Sequence, residues 1–362
     1  MGYSSPKRFV TDGLMVNIRD VARHAGVSIA TVSATLNDRG PVSEDTRRRV
    51  GEAVKAVGYS PNAIARSLRL GKSRLIGIVL GDITNPFCTA LIRVAERAAL
   101  AAGYSIIVCN TDEDAERELL MLDQLRAQHV AGILLTATGL GADYVRRLHR
   151  PDLPLVTLDH RVAGLDRDFV WVDNRAAARM LTEYLIRLGH RRIAMISGRK
   201  GLWTADERIA GFCETMEQAG LEVEPAFCVQ AGYQSDRAAR ATVPMLTRPD
   251  RPTAIIGGNN VIALGALQAI LDLGFRCPDD VSIAGIDDVP WSGLVRPRVT
   301  TAAQPIEEIA SLAVEWLLGR IADRGDTSPP RTRVFQPHMI AGDSCREVHV
   351  RHSKPIVASS VP

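Results

Sequence analysis

The chain of 362 residues is longer than one ordinary domain, and its 46 % apolar and 23 % charged residues are typical of a globular protein. No apolar run approaches the roughly 20 residues that a membrane-spanning helix needs, and no secretory signal is expected at the N-terminus. Six cysteines are scattered without a C-x-x-C pair, which favours free thiols over disulfides or zinc. We therefore expect a cytoplasmic protein without a metal or other cofactor.

The net charge of +3 is divided unevenly along the chain. Residues 1–74 carry 13 Lys and Arg against 6 Asp and Glu, whereas the remainder carries 31 against 35. A basic head on a mildly acidic body is typical of a nucleic-acid-binding domain joined to a separate domain. A basic solvated face would give the same balance, so a motif has to decide between the two interpretations.

The segment 18–37 predicts two short helices around a sharp turn, after a tail of residues 1–16 in which Met15 is a candidate start. Gly26 permits the turn, the Ser28 hydroxyl caps the second helix, and Val32 faces inward. Five residues then face outward: Ile29, Ala30, Thr31, Ser33 and Ala34. Small residues on that face allow close approach to DNA, although a generic helical hairpin has the same spacing.

A third helix is predicted to begin after Ser43, which caps it, and to end at Gly58. Pro61 at a first helical position then opens a helix of about two turns over residues 60–69. A helix this short is marginal alone, so we expect it to order on DNA and against a partner copy.

From Leu75 onward, short apolar runs alternate with helical stretches. The predicted strands are Leu75–Leu80, Ser105–Val108, Gly132–Thr136, Leu155–Leu158, Val170–Val172, Ile193–Ile196, Ala254–Ile256 and Val281–Ala284. The predicted helices include Leu91–Ala102, Glu116–Gln128, Ala176–Leu188 and Ile209–Ala219. Apolar strands separated by helices predict parallel sheets covered on both faces. The length of this region predicts two α/β lobes, with a ligand site in the cleft beyond the C-terminal strand ends.

Four segments of the head resemble the LacI/GalR family of bacterial transcriptional regulators without gaps: Asp20–Ala22, Ala25–Ser28, Thr31–Ser33 and Tyr59–Leu68. The resemblance extends from Ile18 to Ser344 and implies an α plus α/β fold. In that fold a lambda-repressor-like helix-turn-helix head precedes a two-lobed core of the type I periplasmic-binding-protein-like kind. We place the head at 17–74, the core at 75–345 and a tail at 346–362. The expected lobes are 75–173 plus 304–333, and 174–303 plus 334–345.

The resemblance also implies which residues touch DNA. Ile29, Ala30 and Ala34 would read bases, and the phosphate contacts would come from Ser28, Thr31, Ser33 and Asn37. Leu68 would enter the minor groove with its dimer mate, accompanied by Asn62, Ala65 and Arg69. Family members often carry Arg or another polar residue where this chain has Ala34, so direct readout should rely on thymine methyl groups and DNA shape.

Core segments such as Asp82–Phe87 and Gly285–Asp288 carry the second part of the resemblance. It implies that the cleft is lined by Arg208, Asn259, Asp287 and Asp159. A guanidinium, an amide and carboxylates can bracket a sugar, and an aromatic platform is expected from Phe87, Tyr233 or Trp291. Asp173 and Asn174 are predicted to be structural turn or cap groups, and His190 to serve a helix-to-strand corner.

Two departures from the family pattern keep the effector open. Cys88 stands where many relatives have a second Phe, and Asn260 stands where Asp is common. A sugar or sugar derivative is the expected effector, with a nucleobase or a phosphorylated metabolite as alternatives.

The sequence thus predicts a homodimeric, sequence-specific regulator, which we expect to be a repressor of a palindromic operator controlled by a carbohydrate in the cleft. The motifs of serine hydrolases, zinc proteases and P-loop enzymes are missing, so we expect no enzyme. A sugar-binding transport protein would need a signal peptide and would have no helix-turn-helix. A regulator of the same family controlled by a phosphoprotein partner is the remaining alternative.

Overall fold

A computed structural model describes residues 16–36, 40–59, 73–149, 153–323, 325 and 327–348. The chain divides into two compact units, 1–73 and 74–362. The predicted hinge helix 60–69, Asn37 and most of the two predicted tails lie outside the described residues. None of the helices in the described ranges is both long and apolar enough to span a bilayer.

The described part of the first unit contains the helices α1 (Ile18–Ala25), α2 (Ile29–Leu36) and α3 (Glu44–Val57). Their shared core consists of Val21, Ala22, Ala25, Val32, Val50 and Ala53. Each helix boundary follows from a local signal in the sequence. The Ser28 hydroxyl accepts a hydrogen bond of 3.0 Å from the Thr31 amide, and Ser43 caps α3 in the same way. These capping predictions are confirmed.

The turn between α1 and α2 depends on Gly26, whose φ of 62° lies in the left-handed region. The Arg49 guanidinium of α3 donates a hydrogen bond of 2.5 Å to the Ala25 carbonyl beside it. This contact satisfies a carbonyl at the end of α1 and ties the third helix to the turn. The turn between α1 and α2 is therefore stabilised both by the backbone conformation of Gly26 and by the side chain of Arg49.

Twelve strands are described in the second unit. They are β1 (Leu75–Leu80), β2 (Ser105–Asn110), β3 (Gly132–Leu135), β4 (Leu155–Leu158), β5 (Asp168–Val172), β6 (Ile193–Ser197), β7 (Cys228–Gln230), β8 (Ala254–Gly257), β9 (Ser282–Ile286), β10 (Thr300–Ala303), β11 (Thr332–Phe335) and β12 (His338–Ile340). The helices between them are α4 (Pro86–Ala101), α5 (Ala115–Ala127), α6 (Ala142–Leu148), α7 (Asn174–Arg187), α8 (Trp203–Gln218), α9 (Ser235–Leu246), α10 (Asn260–Asp272) and α11 (Ile306–Ala322). All eight predicted strands and all four predicted helices are present. The strand ends shift by at most two residues, but α4 begins five residues and α8 six residues before the predicted starts.

The strands form two six-stranded sheets, each the centre of one lobe. The first sheet has the order β11-β5-β4-β3-β1-β2 and the second the order β12-β10-β9-β8-β6-β7. Every described strand pair is parallel except β10 with β12, which is antiparallel. Parallel strands place their C-terminal ends along one edge of each sheet, so the loops that follow β1, β4, β8 and β9 are brought to a common cleft.

The chain passes between the lobes after β5, after β10 and after β11. The predicted last change of lobe, between residues 333 and 334, needs correction. Arg333 and Val334 pair with Val170 and Trp171 in the first sheet, because β11 continues to Phe335 before the chain crosses to β12. The crossing therefore lies two residues later than expected.

Both faces of each sheet are covered, as continuous apolar strands predict. In β1, for example, Ile76, Ile78 and Leu80 face the cluster built with α4 and α11, whereas Val79 faces the cluster built with α5 and α6. The second sheet separates two further clusters in the same manner. The two sheets are thus rigid platforms for the polar residues at their C-terminal edges.

Candidate DNA-binding and effector sites

The outer surface of α2 carries no charged side chain. Val32 is its buried residue, whereas Ile29 is 45 % exposed and Ala30 is exposed as well. Ala34 is half-buried, and α2 contains no acidic residue in its first turn and no basic residue in its last. A surface of this kind can approach base edges closely and contact thymine methyl groups, but it offers no charged donor to guanine.

The predicted phosphate-binding hydroxyls lie around the start of α2. Ser28 is exposed, and its Oγ lies 2.8 Å from Oγ1 of Thr31. Thr31 and Ser33 are half-buried. The N-terminus of a helix has free amide groups and a positive end of the dipole, which suits a phosphate. Asn37 and the four predicted minor-groove residues lie outside the described part of the chain.

The six predicted effector residues line one cavity of about 50 Å³ between the lobes, and they are Phe87, Asp159, Arg208, Tyr233, Asn259 and Asp287. Each comes from a different loop or helix start at the C-terminal edges of the sheets. Trp291 does not join them, because it is 44 % exposed and lines a separate surface pocket. This exposure is incompatible with a core position, and a role for Trp291 as a stacking platform stays a prediction. Contact of the other six with a ligand stays a prediction.

Two of the carboxylates follow strands with unusual backbone geometry. Asp159 after β4 has a φ of 61°, and Asp287 after β9 has a φ of 70°. Their amides are held by the carbonyls of Val170 and Ala302, at 3.1 and 3.0 Å. Left-handed backbone at a residue other than glycine costs free energy and is concentrated at functional sites. The left-handed backbone after each strand thus directs a carboxylate into the cleft, at a cost in conformational free energy.

The two carboxylates differ in their partners. Gln304 donates a hydrogen bond of 2.7 Å to Asp287, and burial raises the pKa of Asp287 to about 6 despite the attraction of Arg208. For Asp159, Oδ2 lies 3.3 Å from Nε2 of His160. Oδ1 of Asp159 is buried and has no hydrogen-bond partner among the described residues. Such an acceptor is costly to bury unless a ligand donates to it.

Two hydrogen-bond acceptors fix the position of the Arg208 guanidinium. Its Nε donates a hydrogen bond of 2.7 Å to Oδ1 of Asn174, and its Nη1 donates to the carbonyl of Gly258. Asn174 is fully buried, and its amide also donates to the Val172 carbonyl at 3.0 Å. The cap of α7 is the neighbouring Asp173, which accepts from the Ala176 amide at 2.8 Å. Asn174 thus has the structural role that the sequence predicts, and it also positions the Arg208 guanidinium.

A chain of hydrogen bonds crosses the cleft through residues that the sequence prediction did not include. Nδ1 of His160 lies 2.8 Å from Oγ1 of Thr204, which lies 2.9 Å from the Tyr233 hydroxyl. Burial lowers the pKa of His160 and raises that of Tyr233 to about 12, so both are uncharged near neutral pH. The Thr204 hydroxyl thus contacts both the neutral His160 imidazole and the Tyr233 hydroxyl. This network links lobe 1 to lobe 2.

Further acidic and polar groups surround the same cavity. Glu113 follows β2 with a φ of 58°, and burial raises its pKa to about 7. Across the cleft, the Arg199 guanidinium donates to the Thr138 carbonyl, and the Thr138 amide donates to the buried Glu118 at 2.8 Å. The rule that selects residues after parallel strands would have found Glu113 and His160. The same rule would have found Arg199, which lies two residues after β6, whereas no local signal marks Thr204 within α8.

His190 occupies the predicted corner between α7 and β6. It is buried, with Nδ1 at 2.8 Å from Oγ1 of Thr253 and Nε2 at 3.1 Å from the Arg346 carbonyl. Burial lowers the pKa of His190 to about 4, so its imidazole is neutral. It links the corner to the strand β8 region and to the C-terminal segment, away from the cleft.

Comparison with known proteins identifies the family. The profile of bacterial regulatory proteins of the lacI family matches residues 17–62, and that of the periplasmic binding protein-like domain matches residues 182–345. The chain is 37 % identical over 307 residues to the ribose operon repressor of Halalkalibacterium halodurans, covering 85 % of this chain and 91 % of that protein. The chain belongs to the LacI family.

Other LacI-family proteins match over most of their length. The HTH-type transcriptional repressor PurR of Aliivibrio salmonicida is 32 % identical, with 90 % of this chain and 96 % of that protein covered. A crystal structure of the lac repressor dimer bound to operator and an anti-inducer has a TM-score of 0.80 at 25 % identity, and covers 91 % of this chain and 99 % of that one.

These matches confirm the predicted family and fold class. The chain is a LacI-family DNA-binding regulator that responds to a small molecule, and it is not an enzyme.

Proposed function

We propose that this LacI-family protein is a cytoplasmic homodimeric repressor of a palindromic operator, controlled by a small neutral sugar of the pentose class. The observation that carries the effector assignment is the unpartnered, buried Oδ1 of Asp159 beside Arg208 in the interlobe cavity. The names of the ribose operon repressors among the relatives support the same assignment.

The polar groups of the cavity suit hydroxyl groups better than other ligand chemistry. A sugar hydroxyl can donate to Asp159 or Asp287 and accept from Arg208, so each buried group gains a partner. The carboxylates of Asp82, Glu113, Asp159 and Asp287 all line the cavity and would repel a phosphate group. The ring of Phe87 offers an apolar surface to the carbon face of a sugar.

The DNA contacts are assigned to α2 and to the segment after α3. We infer that Ile29, Ala30 and Ala34 face base edges, and that phosphate is bound by Ser28, Thr31, Ser33 and Asn37. The exposure of Ile29 and Ala30 supports this orientation. The minor-groove roles of Asn62, Ala65, Leu68 and Arg69 belong to the same proposal, although these residues lie outside the described ranges.

Exposed apolar side chains on lobe 1 support the homodimer. Leu100 of α4, Val108 of β2 and Leu120 of α5 are 62 %, 42 % and 54 % exposed. They flank β2, which is the edge strand of the first sheet. Solvent-exposed apolar groups beside an open strand edge are typical of a surface that another chain covers. Light scattering should give twice the chain mass, and substitution of Leu100 and Leu120 by Glu should shift it towards the monomer.

Control of DNA binding then follows from linkage. A ligand that bridges groups of both lobes favours one relative position of the lobes, and the operator favours the same position or the other one. The coupling is reciprocal, so operator DNA must change effector affinity by the factor by which effector changes operator affinity. The network from His160 through Thr204 to Tyr233 is one of the described interlobe contacts that a change of lobe position would alter.

Calorimetry with a panel of metabolites tests the effector. The panel contains ribose, other pentoses, hexoses, ribose 5-phosphate, hypoxanthine and guanine, and fluorescence anisotropy with an operator from genomic footprinting reports DNA binding. We expect one neutral pentose to bind and to change operator affinity. Asp159→Asn and Arg208→Ala should abolish the heat, whereas the exposed Asp236→Asn should leave it unchanged.

Other results would contradict the proposal in distinct ways. Binding of a nucleobase or of the phosphorylated sugar alone would reject the pentose assignment. Heat from no metabolite, together with a change of operator affinity on addition of a phosphorylated protein, would reject small-molecule control of this cleft.

A further inference from the structure

A short segment of lobe 2 lies against lobe 1 beside the effector cavity. This interlobe segment comprises residues 199–203, which run from the loop after β6 to the first residue of α8. Arg199 and Trp203, at its two ends, both contact lobe 1. Between them, Gly201 lies so close to Leu140 that a Cβ added to Gly201 would be 3.1 Å from Cδ1 of Leu140. The interlobe segment therefore meets lobe 1 at three successive points.

The Arg199 contact ends on a carbonyl group that lobe 1 holds in place. The Arg199 guanidinium donates to the Thr138 carbonyl, and the Thr138 amide donates a hydrogen bond of 2.8 Å to Glu118. Glu118 is fully buried and also accepts a hydrogen bond from the Tyr144 hydroxyl. Arg199 itself is exposed, whereas Thr138 is buried. A flexible side chain of lobe 2 is thus bound to a fixed acceptor of lobe 1.

The Trp203 contact is made with two aromatic rings of β5. The ring centroids of Trp171 and Trp203 are 4.2 Å apart, and that of Phe169 lies 5.9 Å from Trp203, with both pairs in an edge-to-face arrangement. Phe169 and Trp171 are two positions apart on the strand, so they share one face of the sheet, and their rings stack at 5.4 Å. Aromatic contacts at such distances stabilise beyond the area that they bury. The chain crosses to lobe 2 directly after β5, so this cluster joins the lobes beside the crossing.

The interlobe segment contacts lobe 1 with residues that do not line the effector cavity. The described walls of the cavity include Leu202 but neither Arg199 nor Trp203. We propose that Arg199 and Trp203 are positioning residues, which hold the lobes in the relative position that gathers the effector-binding groups, without touching the effector. A protein that spends less time in the binding-competent position binds its ligand more weakly, in proportion to the competent fraction. The proposal rests on small-molecule control of the cleft and is independent of which sugar binds.

Hydrogen exchange of the ligand-free, full-length protein tests the contact between the lobes. Arg199→Ala removes one hydrogen bond, so the lobe 1 amides of residues 136–144 should exchange about 2- to 10-fold faster. The amides of α11, in the same lobe, should exchange as in the native protein, which general destabilisation of lobe 1 would not allow. The matched control Lys200→Ala removes the same charge from the neighbouring exposed residue and should change neither region. Unchanged exchange of residues 136–144, or an equal change in Lys200→Ala, would overturn the proposal.

Calorimetry with ribose as the probe tests the consequence for effector binding. Arg199→Ala and Trp203→Leu should each lower ribose affinity about 2- to 10-fold, whereas Lys200→Ala should bind as the native protein does. Trp171→Leu should give the same loss as Trp203→Leu, and the double variant should lose no more than either one, because the two rings act through one contact. Urea unfolding establishes that each variant is folded, and Phe replaces Leu in any variant that is not. Native affinity in Arg199→Ala and Trp203→Leu, or additive losses in the tryptophan cycle, would contradict positioning through these contacts.

Failure of the pentose assignment would give a different result. Native protein that releases no heat with ribose would reject that assignment, and the cycle would then be measured with whichever metabolite of the panel binds. The exchange comparison needs no ligand, so it decides in either case whether Arg199 holds the two lobes together.

Discussion

Oδ1 of Asn174 accepts a hydrogen bond of 2.7 Å from Nε of Arg208, and both side chains are buried. Asn174 lies two residues after the end of β5 and opens α7, so it lies on the segment by which the chain crosses from lobe 1 to lobe 2. A buried guanidinium needs a fixed acceptor for each desolvated donor. The crossing segment therefore sets the position of the main cationic group of the cleft, and Asn174 acts as a positioning residue.

We expect Asn174→Ala to lower effector affinity by about 5- to 150-fold, a loss of 1–3 kcal/mol, because Arg208 loses the acceptor that orients it. The matched control is the neighbouring Asp173→Ala. It removes the cap of α7 and should cost about 1 kcal/mol of unfolding free energy with little change in affinity. Calorimetry and urea unfolding of both variants provide the test. Equal losses of affinity would show that Asn174 contributes only to stability.

The sequence sufficed for those strands whose stability comes from apolar burial. β1, β6, β8 and β9 are buried along most of their length and were predicted from their apolar runs. The strands β7, β11 and β12 are short and at least half-exposed at most positions. None of the three contains a continuous buried apolar run, so no local pattern distinguishes them from loops.

The same distinction applies to the cleft. Asp159, Asn259 and Asp287 lie within two residues of the ends of parallel strands, so their common edge could be predicted from order along the chain. His160 and Thr204 contact each other across the two lobes, and no spacing in the sequence relates two residues separated by 43 others. Trp291 is one of the three expected aromatic platforms, but it is 44 % exposed and does not line the cavity that Phe87 and Tyr233 share.

The packing of α7 on α8 is expected to depend on Gly211. A Cβ at this position would lie 2.3 Å from the Arg175 carbonyl oxygen, which is backbone and cannot move away cheaply. We expect Gly211→Ala to cost about 2 kcal/mol of unfolding free energy and to weaken effector binding, because α8 carries Arg208. Gly319→Ala in α11 is the control. Nothing lies within 4 Å of its Cβ position, so the gain in helix propensity should stabilise by up to about 1 kcal/mol. A similar result for both variants would contradict close helix packing.

Two residues of α2 should separate DNA affinity from stability. Ile29 is 45 % exposed, so Ile29→Ala should leave the melting of the head almost unchanged and lower operator affinity roughly tenfold, about 1.4 kcal/mol of lost apolar contact. Val32 is fully buried, so Val32→Ala should cost the head about 2 kcal/mol of stability through the loss of two buried methyl groups. Anisotropy titration and urea unfolding measure the two effects. Normal operator affinity in Ile29→Ala would remove Ile29 from the reading face.

The buried carboxylate of Asp287 is expected to cost stability at neutral pH. Its pKa is about 6 in the folded protein, against the ordinary value of 3.8. Below pH 4 the carboxyl group is protonated in both states and costs nothing. Between pH 4 and 6 the unfolded chain releases this proton while the folded chain retains it, so stability falls as the pH rises. Above pH 6 the penalty is constant, at roughly 3 kcal/mol for a shift of about two pKa units.

Asp287→Asn should therefore stabilise the core at pH 7.5 by up to about 3 kcal/mol, with little gain at pH 4, while effector binding is lost. The amide keeps the hydrogen bond from Gln304, and Asn tolerates the left-handed φ at this position. Urea unfolding at the two pH values measures the difference. The control is Asp280→Asn on the surface, where Arg276 lowers the pKa of the carboxyl group, so this variant should give no gain at pH 7.5. A gain for Asp287→Asn that is equal at both pH values would show that burial of the charge is not its cause.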